Sequence, residues 1–385
     1  VLYAVLGSVA MAACLAVLLL AFPGARRPAR ASGTAAALRP VARALVVASL
    51  ATPSGYLIAS AVAPTSWTAW LLLGIAATVA LAIAAWAVAR RSAGAAPEIP
   101  ATAPWVPATA ATTASARGWR GWVPPALLGA LVTGLVVADL LIGGGALARP
   151  LLGNSAFDGE RFYGLGNGYF AHALAGIFLL VAFRPMRARA VAALLVGLAV
   201  VDGLPSLGAD VGGAVTAMLS AAAAWLLLGR ARPSLARVLW LAAAAVAAAV
   251  AVVVGVALVF GETTHGSRVA QDLGGDPSAA LRTVGHQLSG NFGLLAGNFW
   301  AWWGPLLVVC AGLFSLRPPA LLAGVPDWVR RVVGVGAIGS ALLILLNDTG
   351  VTAAAGSGLA LVLTLAWSAL EPARQRDPAR ERLPA

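Results

Sequence analysis

Residues 238–260 read VLWLAAAAVAAAVAVVVGVALVF, an unbroken run without a charged or amide side chain. As a helix this run rises about 34 Å, enough to cross roughly 30 Å of hydrocarbon. In lipid only a helix or a closed barrel satisfies its own backbone, and the alternating ten-residue segments that a barrel needs are absent from the sequence. Outward from Arg237 and Gly261, further apolar runs are punctuated by Arg, Pro and Gly. They fall at 1–22, 44–63, 67–89, 123–147, 167–183, 190–207, 208–229, 299–316, 332–347 and 350–370. With 60% hydrophobic and 10% charged residues among 385, the chain reads as all-α. It is expected to be a polytopic membrane protein of about eleven transmembrane helices, with one further extracytoplasmic interfacial helix.

The net charge of +12 does not indicate a nucleic-acid partner, because the basic residues stand singly or in short clusters between apolar runs. They act as topology signals instead. Alternate loops hold 22 of the 26 basic residues, whereas the other set holds only Arg149, Arg161, Arg268 and Arg282. The positive-inside rule then places the first set, and the C-terminus, in the cytoplasm of a multi-pass cell-membrane protein. Four regions are expected: three N-terminal spans in 1–91, an Ala/Pro/Thr-rich cytoplasmic linker in 92–122, eight spans in 123–370 with an outer loop at 261–298, and a basic tail in 371–385. The first run lacks the basic head and cleavage site of a signal peptide, and further sequence is expected upstream of Val1. Cys14 and Cys310 lie within apolar runs, as packing residues rather than thiolate ligands. Trp119, Trp122, Trp300, Trp302 and Trp303 read as interfacial anchors, the alternative being a ligand cage.

With that orientation, the chemically capable side chains gather outside. Gly159-Glu160-Arg161-Phe162-Tyr163-Gly164-Leu165-Gly166-Asn167 leads into the fifth span. Arg161 can fork onto a phosphate or carboxylate beside the N–H groups of a helix start, or pair with Asp158 or Glu160 in a tight turn. Asp202 and Asp210 flank the connection from Gly203 to Leu207. Asp202 is expected below the membrane surface in a broken or re-entrant helix end. Two carboxylates at one mouth can share a proton, bind a hard cation or orient a sugar hydroxyl. The plainer alternative is a helix cap at Asp210 and a solvated turn at Asp202.

In the outer loop, His265 suits a general base or a metal ligand, or is merely exposed. No zinc spacing surrounds it, and no metal site is assigned. Asp276-Pro277 reads as an N-cap and first helical position. The helix that follows aligns Leu281, Val284, Leu288, Phe292 and Leu295 on one stripe and Arg282, His286 and Ser289 on another, and is expected at the outer interface. Asn347-Asp348-Thr349-Gly350 forms the last outer turn, where Asp348 serves as a cap or in catalysis. Asp139 and His172 are ionisable groups at membrane depth, which mark a cavity or pathway. The candidate catalytic residues are therefore Asp202, Asp210 and His265. The candidate substrate-binding residues are Arg161, Tyr163, Asn167, Arg268, His286 and Asp348.

At these motifs the chain resembles an uncharacterised family of multi-spanning bacterial membrane proteins, best represented in actinobacteria. The resemblance covers roughly residues 158–370. It is carried by Arg161 to Gly164 with Asn167, by Gly208 to Asp210 with Gly212 and Gly213, by Thr264-His265 with Arg268, and by Asn347-Asp348. This chain departs from the family pattern at Tyr169, Phe170 and His172. The resemblance implies that the motifs belong together and implies no reaction. Three functions are expected to compete: an envelope-biogenesis enzyme acting on a lipid-linked, phosphate-bearing substrate, a transporter or flippase, and a scaffold for an extracytoplasmic partner. The expected partners are the lipid bilayer and a lipid-linked or anionic small molecule. No motif specifies a cofactor or an oligomeric state.

Overall fold

The computed structural model describes residues 33–62, 66–91, 119–147, 165–204, 206–208, 210–229, 234–260 and 277–370. Among them every regular element is helical. The first four helices are α1 (Gly33–Val62), α2 (Trp67–Arg91), α3 (Trp119–Leu141) and α4 (Asn167–Phe183). Next come α5 (Ala188–Gly203), α6 (Val211–Leu228), α7 (Leu235–Phe260) and α8 (Pro277–Gly297). A short 3₁₀ turn (Phe299–Trp302) leads into α9 (Trp303–Leu316), α10 (Asp327–Leu346) and α11 (Gly350–Leu370). Six of them, α1, α2, α3, α6, α10 and α11, are long and apolar enough to cross a membrane, and α4 and α9 are apolar but shorter. The protein is a multi-pass, all-α membrane protein. The expected first span, 1–22, residues 92–118 of the linker and the C-terminal tail lie outside the described residues, while the linker's last four residues, 119–122, belong to α3.

Close pairs α1 with α2, α3 with α4 and α5 with α6 assemble around α4, α10 and α11. Helix α4 is buried on nearly every side, which is why its sequence is apolar all round rather than striped. Helix α10 serves three neighbours through three glycines. Cβ atoms at Gly334, Gly336 and Gly339 would meet Ser315 of α9, Leu361 of α11 and Ser220 of α6. On the periphery the pattern reverses: Leu72, Ile75, Val79 and Ile83 of α2 and Leu306, Val309 and Leu313 of α9 are exposed, at helical spacing and facing the lipid. Exposed leucine costs nothing against acyl chains.

Hydrogen bonds define the two ends of the bundle. At one end, Arg39 Nε donates to Leu370 O (2.9 Å) and Trp328 Nε1 to Val181 O (3.0 Å), joining the starts of α1 and α10 to the ends of α11 and α4. Arg39, Arg43, Arg184 and Arg330 lie at this arginine-rich end. At the other end, the start of α4 meets the turn between α10 and α11, where Asn167 Nδ2 donates to Asp348 Oδ1 (2.9 Å).

Two helices stop earlier than the apolar runs suggest. Helix α3 ends at Leu141 rather than 147, because Asp139 Oδ1 and Oδ2 accept the N–H groups of Ala146 (3.1 Å) and Leu147 (2.9 Å). The chain between them is folded back with Gly143 and Gly144 at φ +110° and +69°, angles that favour glycine. Asp139 therefore holds a turn, and the pathway expected there has a structural explanation. Helix α5 ends at Gly203 rather than 207, and its 16 residues are short for a bilayer.

Candidate functional site

Five helix ends converge at the arginine-poor end. Asp202 occupies the last turn of α5 and is fully buried (0% exposed), which rules out the solvated turn. Helix α5 breaks off at Gly203, one residue beyond Asp202. The chain reverses tightly, with Gly208 N donating to Val201 O (3.1 Å) and Asp210 N to Asp202 O (2.9 Å). A side chain at Gly208 would collide with the Asp202 backbone, so glycine is required for this return.

Asp210 is the N-cap of α6. Its backbone is extended and its Oδ1 accepts from Gly212 N (3.0 Å), a bond that satisfies one of the orphan donors of the helix start. The Asp202 carboxylate packs directly on Gly213, and Asp210 Oδ2 lies 3.2 Å from the position a Gly213 Cβ would take. The two carboxylates thus face the same glycine. The cap reading of Asp210 describes this geometry.

Helix α10 approaches from the side. Asn347, at its C-cap, is buried and its Nδ2 donates to Leu343 O (3.3 Å) and Thr216 Oγ1 (3.4 Å). Its Oδ1 lies 2.7 Å from where a Gly212 Cβ would sit. Thr216 in turn donates to Gly212 O (2.8 Å). Gly212 and Gly213 therefore let the start of α6 press against both α10 and α5.

Asn167 opens α4 and is also buried. Its Nδ2 bonds Asp348 Oδ1 and Thr349 Oγ1 (2.6 Å), and just before it Leu165 N donates to Gly208 O (2.9 Å). The entrance of α4 is thus tied both to the α5–α6 turn and to the α10–α11 turn. Asp348 itself is exposed at the rim.

Helix α8 lies over this end, with Leu288 and Leu295 of the expected stripe half-buried. Phe292 is 67% exposed, whereas Asn291 is buried and spans the α10–α11 junction. Its Nδ2 donates to Ile344 O (2.9 Å) and Asn347 O (2.7 Å), and its Oδ1 accepts from Val351 N (2.9 Å). Helix ends leave carbonyls and N–H groups without intrahelical partners, and one amide side chain serves both ends here. This polar demand, rather than apolar area, turns α8 so that Leu288, Asn291 and Leu295 face inward. His286 and Arg282 are exposed on α8.

Of the candidate residues, the structure brings together Asp202 with Asp210 and Asn167 with Asp348, through adjoining turns. It leaves His286 on the surface, and Arg161, Tyr163, His265 and Arg268 lie outside the described residues. Sequence reasoning left Asn291, Asn347 and Thr216 out of the site. A signal for Asn291 existed, since it stands three residues after Leu288 and four before Leu295, at the spacing of one helical face. Among the described residues no group of three or more His, Cys, Asp or Glu side chains is placed to hold a metal. Buried carboxylates beside amides and hydroxyls form an acceptor-rich site, suited to sharing a proton or to orienting hydroxyl groups.

A second polar feature lies deeper. His172 lines a cavity of about 50 Å³ with Ser49, Pro53, Val132, Gly176 and Gly356, between α1, α3, α4 and α11. A Cβ at Gly356 would meet the imidazole at 2.5 Å from Cε1. Family models, curated proteins and solved structures gave no match to this chain, so function is argued from these geometries alone.

Proposed function

We propose that the protein is an envelope-biogenesis enzyme of the cell membrane, acting at its arginine-poor, extracytoplasmic end on a lipid-linked, phosphate-bearing substrate. The observation that carries this reading is the meeting of Asp202 and Asp210 at Gly213, inside a knot of helix ends otherwise built from amides and hydroxyls. A carboxylate pair can hold one proton between two acids and so supply a general acid or base. The phosphate would fall to Arg161, with Arg268 or Arg282. The resemblance that groups Arg161–Asn167 with Gly208–Asp210 and Asn347–Asp348 supports treating these turns as one site. The C-terminus lies in the cytoplasm on this reading, which a reporter fused after Ala385 would test.

Asp210→Asn is the decisive variant. Asparagine caps a helix as well as aspartate does, so the substitution keeps the bond to Gly212 and removes the charge. In a deletion strain, Asp210→Asn and Asp202→Asn are expected to leave the envelope glycolipid profile of the empty vector. Mass spectrometry of the purified wild-type protein is expected to show a retained polyprenyl phosphate or glycolipid. A normal profile from both variants refutes the proposal.

A transporter or flippase is the second reading, favoured by the cavity at His172 in the middle of the bundle. It calls for proton-gradient-driven uptake in vesicles that His172→Asn abolishes and Asp210→Asn leaves intact.

A further inference from the structure

The cavity at His172 has a polar wall that belongs to none of the turns described above. Helix α1 carries Pro53 in its interior. Proline has no N–H, so the carbonyl of Ser49, four residues earlier, lacks its regular helical donor. Ser49, Pro53 and His172 line the same cavity, and the rest of its wall is apolar, including Leu50, Val132 and Leu179. The imidazole rests on Gly356 of α11, where a Cβ would stand 3.0 Å from Nε2 and 3.2 Å from Nδ1. Among the described residues, neither the His172 ring nor the Ser49 hydroxyl forms a hydrogen bond. His172 is five residues along α4 from Asn167, so it lies about 7.5 Å below the turns at the arginine-poor end.

Polar groups withdrawn from water without partners are costly, and lipid offers them none. A carbonyl, a hydroxyl and an imidazole converging on one cavity supply the partners that a buried water requires. Size selects the same occupant. The cavity measures about 50 Å³, against roughly 15 Å³ for one water and about 150 Å³ for a cavity that admits benzene. A ring-bearing ligand is excluded by volume, and a lipid chain by the polar groups it would seal off. We propose that Ser49 and His172, at the break made by Pro53, hold ordered water within the membrane, and that this water joins α1 to α4. The site is independent of the carboxylate pair.

The test is radiolytic hydroxyl labelling of the full chain in lipid nanodiscs, read by mass spectrometry, because radicals formed from a bound water oxidise the side chains beside it. Leu50, Pro53 and Leu179 of the wild type are expected to be oxidised severalfold faster than Phe170 and Phe178, which are fully buried in α4 and intrinsically more reactive. Pro53→Ala returns an N–H to the Ser49 carbonyl and favours the helix, so it should fold and lower the labelling of Leu50 and Leu179 severalfold. Adding His172→Leu should abolish that labelling. Oxidation of Leu50 and Leu179 no faster than that of the two phenylalanines means a dry cavity and overturns the assignment. So does labelling that Pro53→Ala and the double variant leave at the wild-type rate, since the water would then not be held by these groups.

Discussion

Replacing Asn291 with alanine should loosen α8 from the rest of the protein without unfolding the bundle. The side chain makes three hydrogen bonds at the α10–α11 junction. Asn347 O keeps a second donor, Gly350 N at 3.2 Å, so it is not orphaned by the change. Ile344 O and Val351 N are the groups at risk, one in the last turn of α10 and the other in the first turn of α11. A buried backbone group deprived of its partner costs about 1–3 kcal/mol, and water at this end of the bundle recovers part of that. The expected destabilisation of α8 docking is about 2–4 kcal/mol, the equivalent of a roughly 30-fold to 900-fold rise in local opening. Hydrogen–deuterium exchange on the detergent-solubilised protein reads this directly: amides of 277–297 should exchange faster by that factor, while those of α4 should not change. Asn291→Asp retains the bond to Val351 N but sets a carboxylate against two carbonyls, and should be no better than alanine. If α8 keeps wild-type protection in Asn291→Ala, the amide is not what holds the helix and the explanation of its rotated face is wrong.

Asp139→Asn retains one acceptor for the turn that follows α3 and loses the other, so a stability loss of about 1–3 kcal/mol by thermal unfolding is expected, with complementation preserved at permissive temperature. A stable but inactive variant would return Asp139 to the functional site. Gly213→Ala puts a methyl group into the Asp202 carboxylate and should abolish complementation, whereas Gly197→Ala on α5, where a Cβ meets nothing within 4 Å, should be silent. Equal behaviour of the two glycine variants would contradict the placement of Asp202. Gly356→Ala forces the His172 ring aside and shrinks its cavity, costing about 1–3 kcal/mol as overpacking does. If the enzyme reading holds, complementation survives this change at low temperature, and its loss without loss of folded protein would favour transport.

The class of fold was legible because hydrophobicity in a bilayer is a linear property of the chain. Each run from 44 to 370 corresponds to a helix, and α4 spans 167–183 as read. Helix ends were less legible, since a side chain elsewhere in the chain sets them: Asp139 stops α3 by taking two amides seven and eight residues ahead, and Arg39 draws the start of α1 alongside the end of α11. Polar residues near the span ends could be grouped by orientation, but their roles could not be separated. Asp202 and Asp139 look alike in sequence, each an aspartate near the end of an apolar run. One is buried against Gly213 beside a second carboxylate, and the other closes a local turn.

By itself the sequence determined that this chain crosses a membrane as helices, and along which segments, because backbone satisfaction in lipid leaves no other structure for runs of that length. It also showed that 22 of the 26 arginines fall in alternate loops. Only the tertiary structure decided that Asp202 and Asp210 face one glycine, that Asn291 rather than Phe292 turns inward, and that Arg39 meets Leu370 at a distance of 331 residues. Such pairings depend on which helix ends are brought together, and helix packing is chosen by small residues and unsatisfied backbone groups whose partners lie far away in the chain.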